Sequence, residues 1–216
     1  MARKAKAEAE KTRTRILASA LSLFVKKGYE RTTFTDIAAR LKMTKGAVYW
    51  HFDSKETLLL ALVDEMVAKF RRQLAELLPP GDSDFEGLSF RDVANIMLEN
   101  AGRITSDPKG TAFFLLVHEQ IRWAHASMDN VRKDLLVNTR FGPWAAMKKG
   151  VENDIASGAV KPGTDPVKIA TVCTAIWDGL VHMRIAGILA CDLYETLAGS
   201  YDAVWASIRR EDCGIV

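Results

Sequence analysis

A length of 216 residues suffices for one large domain or two small ones, and a hydrophobic content of 48% is ordinary for a globular protein. The first fifteen residues are charged throughout and lack the apolar segment of a signal peptide, and no uncharged run is long enough to cross a bilayer. Three cysteines without CxxC spacing do not form a disulfide framework. We therefore expect a cytoplasmic protein without a membrane partner.

The net charge of +3 hides a strong asymmetry along the chain. Residues 1–55 carry 13 Lys and Arg against 5 Asp and Glu, a net charge of +8, whereas residues 56–216 have a net charge of −5. A concentration of basic residues is typical of a segment that binds the phosphates of nucleic acid. The alternative is a charged helix end exposed to water.

Helical periodicity in nearly every segment predicts an all-α fold. The first helix carries apolar residues at Ile16, Ala20 and Phe24 and ends at Gly28. Before it, residues 1–11 form a basic arm, which we expect to be a flexible tail. The alternative is an arm that lies in the minor groove of DNA.

Two short helices come next in the chain. Thr33 is the predicted N-cap of a helix that ends at about Leu41, and after a turn a second helix runs to about Phe52. This arrangement is the helix-turn-helix, whose second helix enters the major groove of DNA. The sequence thus predicts a three-helix DNA-binding domain over residues 12–53 and a larger helical domain over residues 54–216.

Capping residues mark the helices of the larger domain. A long helix is predicted to begin after Ser54, and Pro79-Pro80-Gly81 end it. Further predicted helix starts lie at Ser89, Asp107, Asp129, Asp165 and Asp192.

The second helix of the helix-turn-helix begins with residues suited to reading bases. Thr44 caps the helix and, with the free N–H groups beside it, can hold a phosphate. Lys45 offers a donor to guanine, Gly46 lets the backbone come close, and the Ala47 methyl can touch a thymine methyl.

The aromatic and basic residues that follow can contact the DNA backbone. Tyr49 and His51 are predicted to make polar contacts with it, and Lys55 a further phosphate contact. Trp50 is either a lid on the core or a backbone contact. We expect the small core of this domain to contain Phe34, Val48 and Phe52.

The segments TTFTDIA, LKMTKGAVYWHF and SKETLLLALVDEM, within about residues 12–66, resemble the DNA-binding domain of the TetR family of bacterial transcriptional regulators. The opening MARKAKAEAEKTRTRIL looks most similar to repressors of multidrug efflux-pump operons in that family. The resemblance implies a repressor that binds a near-palindromic operator as a homodimer and is released by a small effector. It also implies DNA contacts from Thr33, Lys45, Gly46, Ala47, Tyr49, His51 and Lys55.

The segment 169–191 contains only Asp178 and Arg184 as charged residues, and its apolar residues spread around the helix. Such a helix must be covered on most sides, either by a two-fold bundle with a second subunit or by the core of a monomer. The resemblance implies the first: the last two helices of each subunit build a four-helix dimer interface.

Aromatic and methionine residues between these regions can line a large apolar pocket, although packing in the core is the more usual function of such residues. The composition would suit a bulky, largely hydrophobic effector. We predict an effector site with contributions from Phe70, Met97, Phe114, His118, Asn138, Trp144 and Trp177.

Catalytic motifs are absent from the sequence. The four histidines lack metal-ligand spacing, and no GxSxG, P-loop or dinucleotide fingerprint occurs, so neither an enzyme, a cofactor nor a metal is predicted. Two alternatives remain for the signal that a DNA-binding regulator would sense: a protein partner, or oxidation of Cys173, Cys191 or Cys213.

Overall fold

The computed structural model of the protein describes residues 2–75, 87–121, 129 and 143–210. These residues are helical, apart from turns and an isolated antiparallel bridge between Val160 and Arg209, and the predicted all-α class is confirmed. The helices are α1 (Ala2–Lys27), α2 (Phe34–Leu41), α3 (Lys45–Tyr49), α4 (Lys55–Ala75), α5 (Phe90–Ser106), α6 (Pro108–Leu115), α7 (Pro143–Ala156), α8 (Pro166–Ile185) and α9 (Leu193–Ile208). A π-helical turn, Leu116–Gln120, continues α6.

Several helices begin at the capping residues that the sequence predicts. Thr33 forms a capping box with Asp36 at the start of α2, and Ser89 forms one with Asp92 at the start of α5. In each box the hydroxyl accepts from a backbone N–H of the first turn, and the carboxylate accepts from the N–H of the cap residue. These bonds satisfy donors that a helix leaves free and so fix its first residue. Asp165 and Asp192 cap α8 and α9 in a similar way.

The basic arm differs from our expectation. Residues 2–11 belong to α1 and are not a flexible tail. Their composition explains this, because Ala, Lys, Arg and Glu all have high helix propensity. The pairs Lys11–Glu8 and Arg13–Glu10, at 3.5 and 4.0 Å, add the i, i+3 charge interactions that support an exposed helix.

The chain divides into two compact units. Unit 1 comprises Met1–Ala68 and Pro108–Val137, and unit 2 comprises Lys69–Asp107 and Asn138–Val216. Unit 1 therefore contains more than the predicted DNA-binding segment 12–53. The division into a basic arm, a DNA-binding domain and a larger helical domain, with boundaries at residues 11 and 53, stays a prediction.

The core of unit 1 gathers side chains from α1 to α4 and from the segment after α6. Phe24, Ile37, Val48 and Leu58 are fully buried there, as is Leu116 of the π turn. Each buried side chain of this size stabilises the unit by about 1.5–3 kcal/mol relative to exposure. The segment 108–121 thus completes the core that holds the helix-turn-helix.

A direct hydrogen bond also joins this segment to α1. Gln120 donates through Nε2 to the carbonyl oxygen of Val25, at 3.2 Å. That carbonyl lies in the last turn of α1, where helix carbonyls lack partners within the helix.

Unit 2 packs α5, α7, α8 and α9 around its own core. Met97, Met147, Cys173 and Tyr201 are buried at its centre, one from each of these helices. In the part of the chain that the structure describes, no helix is long and apolar enough to span a bilayer.

Candidate functional site

The helix-turn-helix is built by α2 and α3 within unit 1. Lys42 at the end of α2 takes the left-handed conformation (φ 55°), and its N–H bonds back to the carbonyls of Ala38 and Ala39. This conformation is uncommon for a residue with a side chain and turns the chain sharply. Thr44 is extended and accepts a hydrogen bond from the Ala47 N–H at 3.2 Å, which starts α3 as predicted.

The first turn of α3 is open to solvent. Thr44, Lys45 and Gly46 are exposed and Ala47 is half-buried. The Lys45 Nζ lies 5.4 Å from the centroid of the Tyr49 ring. A Cβ added at Gly46 would meet only the Thr44 Oγ1, at 3.9 Å, so packing within the protein does not require glycine there. The turn can therefore approach another molecule closely.

The aromatic residues at the end of α3 divide between surface and core. The helix ends at Tyr49, three residues earlier than predicted, and Trp50 is its C-cap. Tyr49 and Trp50 have exposed fractions of 47% and 73%, whereas Val48 and Phe52 are buried as predicted. The exposure of Trp50 rules out the alternative that it is a lid on the core.

His51 is intermediate in exposure between the exposed Tyr49 and Trp50 and the buried Val48 and Phe52. Its ring packs edge-on against that of Trp50, with 4.6 Å between centroids. Partial burial, and then the nearby Arg13, lower the pKa of His51 below its ordinary value of 6.5. The imidazole is therefore neutral at physiological pH and suited to hydrogen bonding rather than to charge pairing.

Thr33 and Asp36 anchor the start of α2 to α1. The Thr33 hydroxyl donates to Asp36 Oδ2 at 2.6 Å, and Lys27 Nζ donates to Asp36 Oδ1 at 2.7 Å. The hydrogen bond from Lys27, followed by those from Thr33, lowers the pKa of the Asp36 carboxyl to about 2. Thr33 remains exposed, as a phosphate contact would need.

Lys55 has partners within the protein that sequence reasoning missed. Its Nζ donates to the carbonyl oxygens of Tyr29 at 2.9 Å and Glu30 at 3.1 Å, and it lies 4.4 Å from the centroid of the Tyr29 ring. Two of the three ammonium protons are therefore used to hold the start of α4 to the loop after α1. The predicted phosphate contact would have to use the third proton or replace one of these bonds.

The residues predicted for the effector site are distributed over both units. In unit 1 the Phe114 and His118 rings stack, with 4.0 Å between centroids. In unit 2 the Trp177 Nε1 donates to the Met97 carbonyl oxygen at 2.8 Å, and both residues are buried. Trp177 and Met97 therefore make the contacts of residues packed in a core. Core packing is the alternative to an effector site that was given above for aromatic and methionine residues.

Three predicted effector residues remain. The Trp144 Nε1 donates to the Thr171 hydroxyl at 3.2 Å, within unit 2. Asn138 and the side chain of Phe70 lie outside the described residues.

A cavity of about 620 Å³ opens in unit 2 between α5, the end of α8 and the start of α9. Its lining includes Glu99, Arg103, Arg184 and Asp192, and none of the predicted effector residues. A lining with two basic and two acidic side chains does not suit the largely hydrophobic effector that the composition indicates.

The cysteines differ in their surroundings. Cys173 is buried, and burial raises the pKa of its thiol to about 12, which disfavours the thiolate needed for oxidation. Cys191 is exposed and accepts a hydrogen bond from the Thr196 hydroxyl at 3.0 Å. Cys213 lies outside the described residues. Regulation by cysteine oxidation, one of the alternatives given above, is therefore disfavoured at Cys173.

An N-terminal helix-turn-helix with an exposed reading turn, followed by a helical body, defines a class of DNA-binding transcriptional regulators. A model of the tetR family of bacterial regulatory proteins matches residues 16–62. The "Probable acrEF/envCD operon repressor" of Escherichia coli strain K12 is 45% identical over 205 residues, covering 94% of this chain and 90% of that protein. The chain belongs to the TetR family of bacterial transcriptional regulators. Its relatives are regulators and not enzymes, in agreement with the sequence prediction.

Two further relatives show how the similarity is distributed. "HTH-type transcriptional regulator TtgR" of Pseudomonas putida is 46% identical over 66 residues, so the chain spans about a third of that relative (31% of each protein). SmeT bound to triclosan has a TM-score of 0.73 at 23% identity, covering 93% of both chains. SmeT is the repressor of the Stenotrophomonas maltophilia multidrug efflux pump SmeDEF. At that identity the likeness establishes the fold.

Proposed function

We propose that the protein is a cytoplasmic repressor of an efflux-pump operon, which binds a near-palindromic operator as a homodimer and is released by a small, largely hydrophobic effector. The observation that carries this proposal is the 45% identity, over 94% of the chain, to the "Probable acrEF/envCD operon repressor" of Escherichia coli. The fold shared with SmeT, whose complex with triclosan is known, supports an effector of that kind.

The operator contacts are assigned to the exposed turn at the start of α3 and to the residues around it. Lys45 is placed to read guanine, and the absence of a side chain at Gly46 allows the backbone to approach the base edges. The neutral His51 and the exposed Trp50 are suited to the DNA backbone. The full set of proposed DNA contacts is Thr33, Thr44, Lys45, Gly46, Ala47, Tyr49, Trp50, His51 and Lys55.

The proposed dimer interface uses α8 and α9. Val172, Gly179 and Met183 follow one face of α8 at helical spacing, and all three are exposed in the single chain. A Cβ added at Gly179, or at Gly199 of α9, would meet nothing within 4 Å, so both helices leave room for close packing. An exposed apolar face of this kind is suited to a two-fold helix bundle.

Release by an effector follows from thermodynamic linkage. A dimer presents two recognition helices to two half-sites about one helical turn, or a multiple of it, apart. An effector that binds more tightly to a conformation in which the recognition helices do not match this spacing lowers DNA affinity. The loss equals the difference between the effector's binding free energies for the two conformations. The effector's contacts are proposed from Phe70, Met97, Phe114, His118, Asn138, Trp144 and Trp177.

Selection of binding sites from a pool of random double-stranded DNA tests the proposal. The full-length protein should enrich a near-palindrome, and triclosan should then release the protein from it. Lys45→Gln should alter the selected bases, whereas Arg210→Gln, a charge-matched change at an exposed residue of unit 2, should not. Enrichment of no sequence, or of one that lacks two-fold symmetry, would contradict the proposal.

A further inference from the structure

The first turns of α1 carry exposed basic side chains that the helix-turn-helix does not account for. Lys6, Lys11 and Arg15 are exposed, Lys6 on one side of the helix and Lys11 and Arg15 on the other, and the acids of this stretch, Glu8 and Glu10, are too few to neutralise its charge. Among the described residues, neither Lys6 nor Arg15 forms an ion pair. These cations stay in water in the free protein.

One contact relates this surface to the reading helix. The Arg13 guanidinium lies over the Phe52 ring, 5.3 Å from its centroid, and Phe52 follows closely after α3. Glu10 and Lys6 are three and seven residues before Arg13, on the same face of α1. At 1.5 Å per residue, Lys6 lies about 10 Å further along the helix than Arg13. The face of α1 that carries Lys6 therefore extends outward from the contact between Arg13 and Phe52.

The helical state of residues 2–13 restricts what this face can bind. An α-helix is about 10 Å wide, whereas the minor groove of B-DNA is only about 6 Å wide, so the arm cannot enter that groove as an extended chain would. Lysine and arginine side chains on a helix that runs beside the duplex can still reach phosphates.

We propose that residues 2–13 of α1 form a second DNA-contacting surface, which binds the phosphates flanking each half-site beyond the base pairs that α3 reaches. This inference rests on the proposed operator binding. It assigns Lys6 to a flanking phosphate and Arg13 to positioning the helix through Phe52. The surface adds affinity without reading sequence, and each phosphate neutralised steepens the salt dependence of binding.

The test uses the full-length protein and the selected operator in two lengths, one ending at the half-sites and one with about one further helical turn (roughly 10 base pairs) on each side. Wild-type protein should bind the longer DNA several-fold more tightly. Lys6→Gln should remove most of that gain and reduce the salt slope by roughly 0.9 for each arm of the dimer. Affinity for the short DNA should not change. The control Arg210→Gln should leave both affinities as they are.

A second variant tests the helical state itself. Ala9→Pro keeps every charge of the arm but breaks α1 at its third turn, because proline lacks the N–H and clashes with the preceding turn. It should lose the gain from the flanking DNA just as Lys6→Gln does. The inference would be overturned if Lys6→Gln weakened binding to both DNA lengths equally. It would also be overturned if Ala9→Pro bound the longer DNA as tightly as wild type. Failure of wild-type protein to bind even the short operator would instead contradict the proposed function.

Discussion

Gly46 is the residue at which the stability of the protein and its affinity for DNA can be separated. Glycine within a helix costs about 0.5–1 kcal/mol relative to alanine, and the added Cβ has room in the free protein. We therefore expect Gly46→Ala to unfold at the same or a higher temperature than wild type.

The same variant should bind the operator at least about tenfold more weakly, a loss of ~1.4 kcal/mol, because the methyl group occupies the space between the backbone and the base edges. Thermal unfolding and fluorescence anisotropy with operator DNA measure the two effects. An operator affinity equal to that of wild type would show that the backbone does not approach DNA at this residue.

Burial of single residues could be predicted from the sequence better than their partners could. Helical phase placed Val48 and Phe52 in the core, where the structure has them. The bonds from Lys55 to the carbonyls of Tyr29 and Glu30 could not be predicted, because they span some 25 positions in the chain. They depend on how α4 packs against the loop after α1, and no local pattern encodes that packing.

Among the helices, α2 is joined to α1 at its start by a single carboxylate. Asp36 closes the capping box and receives the bond from Lys27, and its pKa is about 2 instead of the ordinary 3.8. A carboxyl whose pKa is lowered on folding stabilises the protein above its ordinary pKa, and this contribution is lost as the pH falls to its folded pKa. The wild type should thus lose stability between about pH 4 and pH 2 through this group.

Asp36→Asn tests that link by denaturant unfolding at several pH values. The variant should be less stable than wild type at pH 7, with a shallower decline towards pH 2. Asp92→Asn is the matched control, because it disturbs the corresponding capping box of α5, in which the carboxylate accepts hydrogen bonds from Ser89 alone among the described residues. Parallel pH profiles for wild type and Asp36→Asn would contradict the assignment.

Helix starts could be predicted because caps such as Thr33 and Ser89 act over three residues. The helical state of residues 2–11 was also encoded locally, in their helix propensity, but the high charge favoured a tail in our interpretation. The π turn after α6 was not predictable in this way. Its Leu116 is buried in the core of unit 1 among residues distant in the chain, and no local pattern encodes such contacts.

For the whole molecule, charge and apolar surface are unevenly distributed along the chain. The basic residues concentrate in the segment that carries the helix-turn-helix, whereas α8 offers an apolar face with few charges. The sequence predicted both features, since composition alone reveals them. The residues of the effector site stay predictions, because a buried aromatic such as Trp177 has the same sequence pattern in a packed core as in a pocket wall.

The proposed paired reading of two half-sites would require the face of α8 to hold two copies together. Met183 has an exposed fraction of 37% on that face, and Met183→Glu would bring two carboxylates into the proposed interface. We expect the variant to keep its helical content but to become monomeric at micromolar concentration in analytical ultracentrifugation, because burying an unpaired charge is costly.

Operator affinity should fall in the same variant by at least about a hundredfold, ~2.7 kcal/mol, because one recognition helix then binds alone. Affinity for DNA with a single half-site should change little. The matched control is Ile155→Glu on α7, whose side chain has an exposed fraction of 39% and lies outside the proposed interface; it should remain a dimer. A monomeric Met183→Glu that binds the full operator as tightly as wild type would show that the two half-sites are not read as a pair.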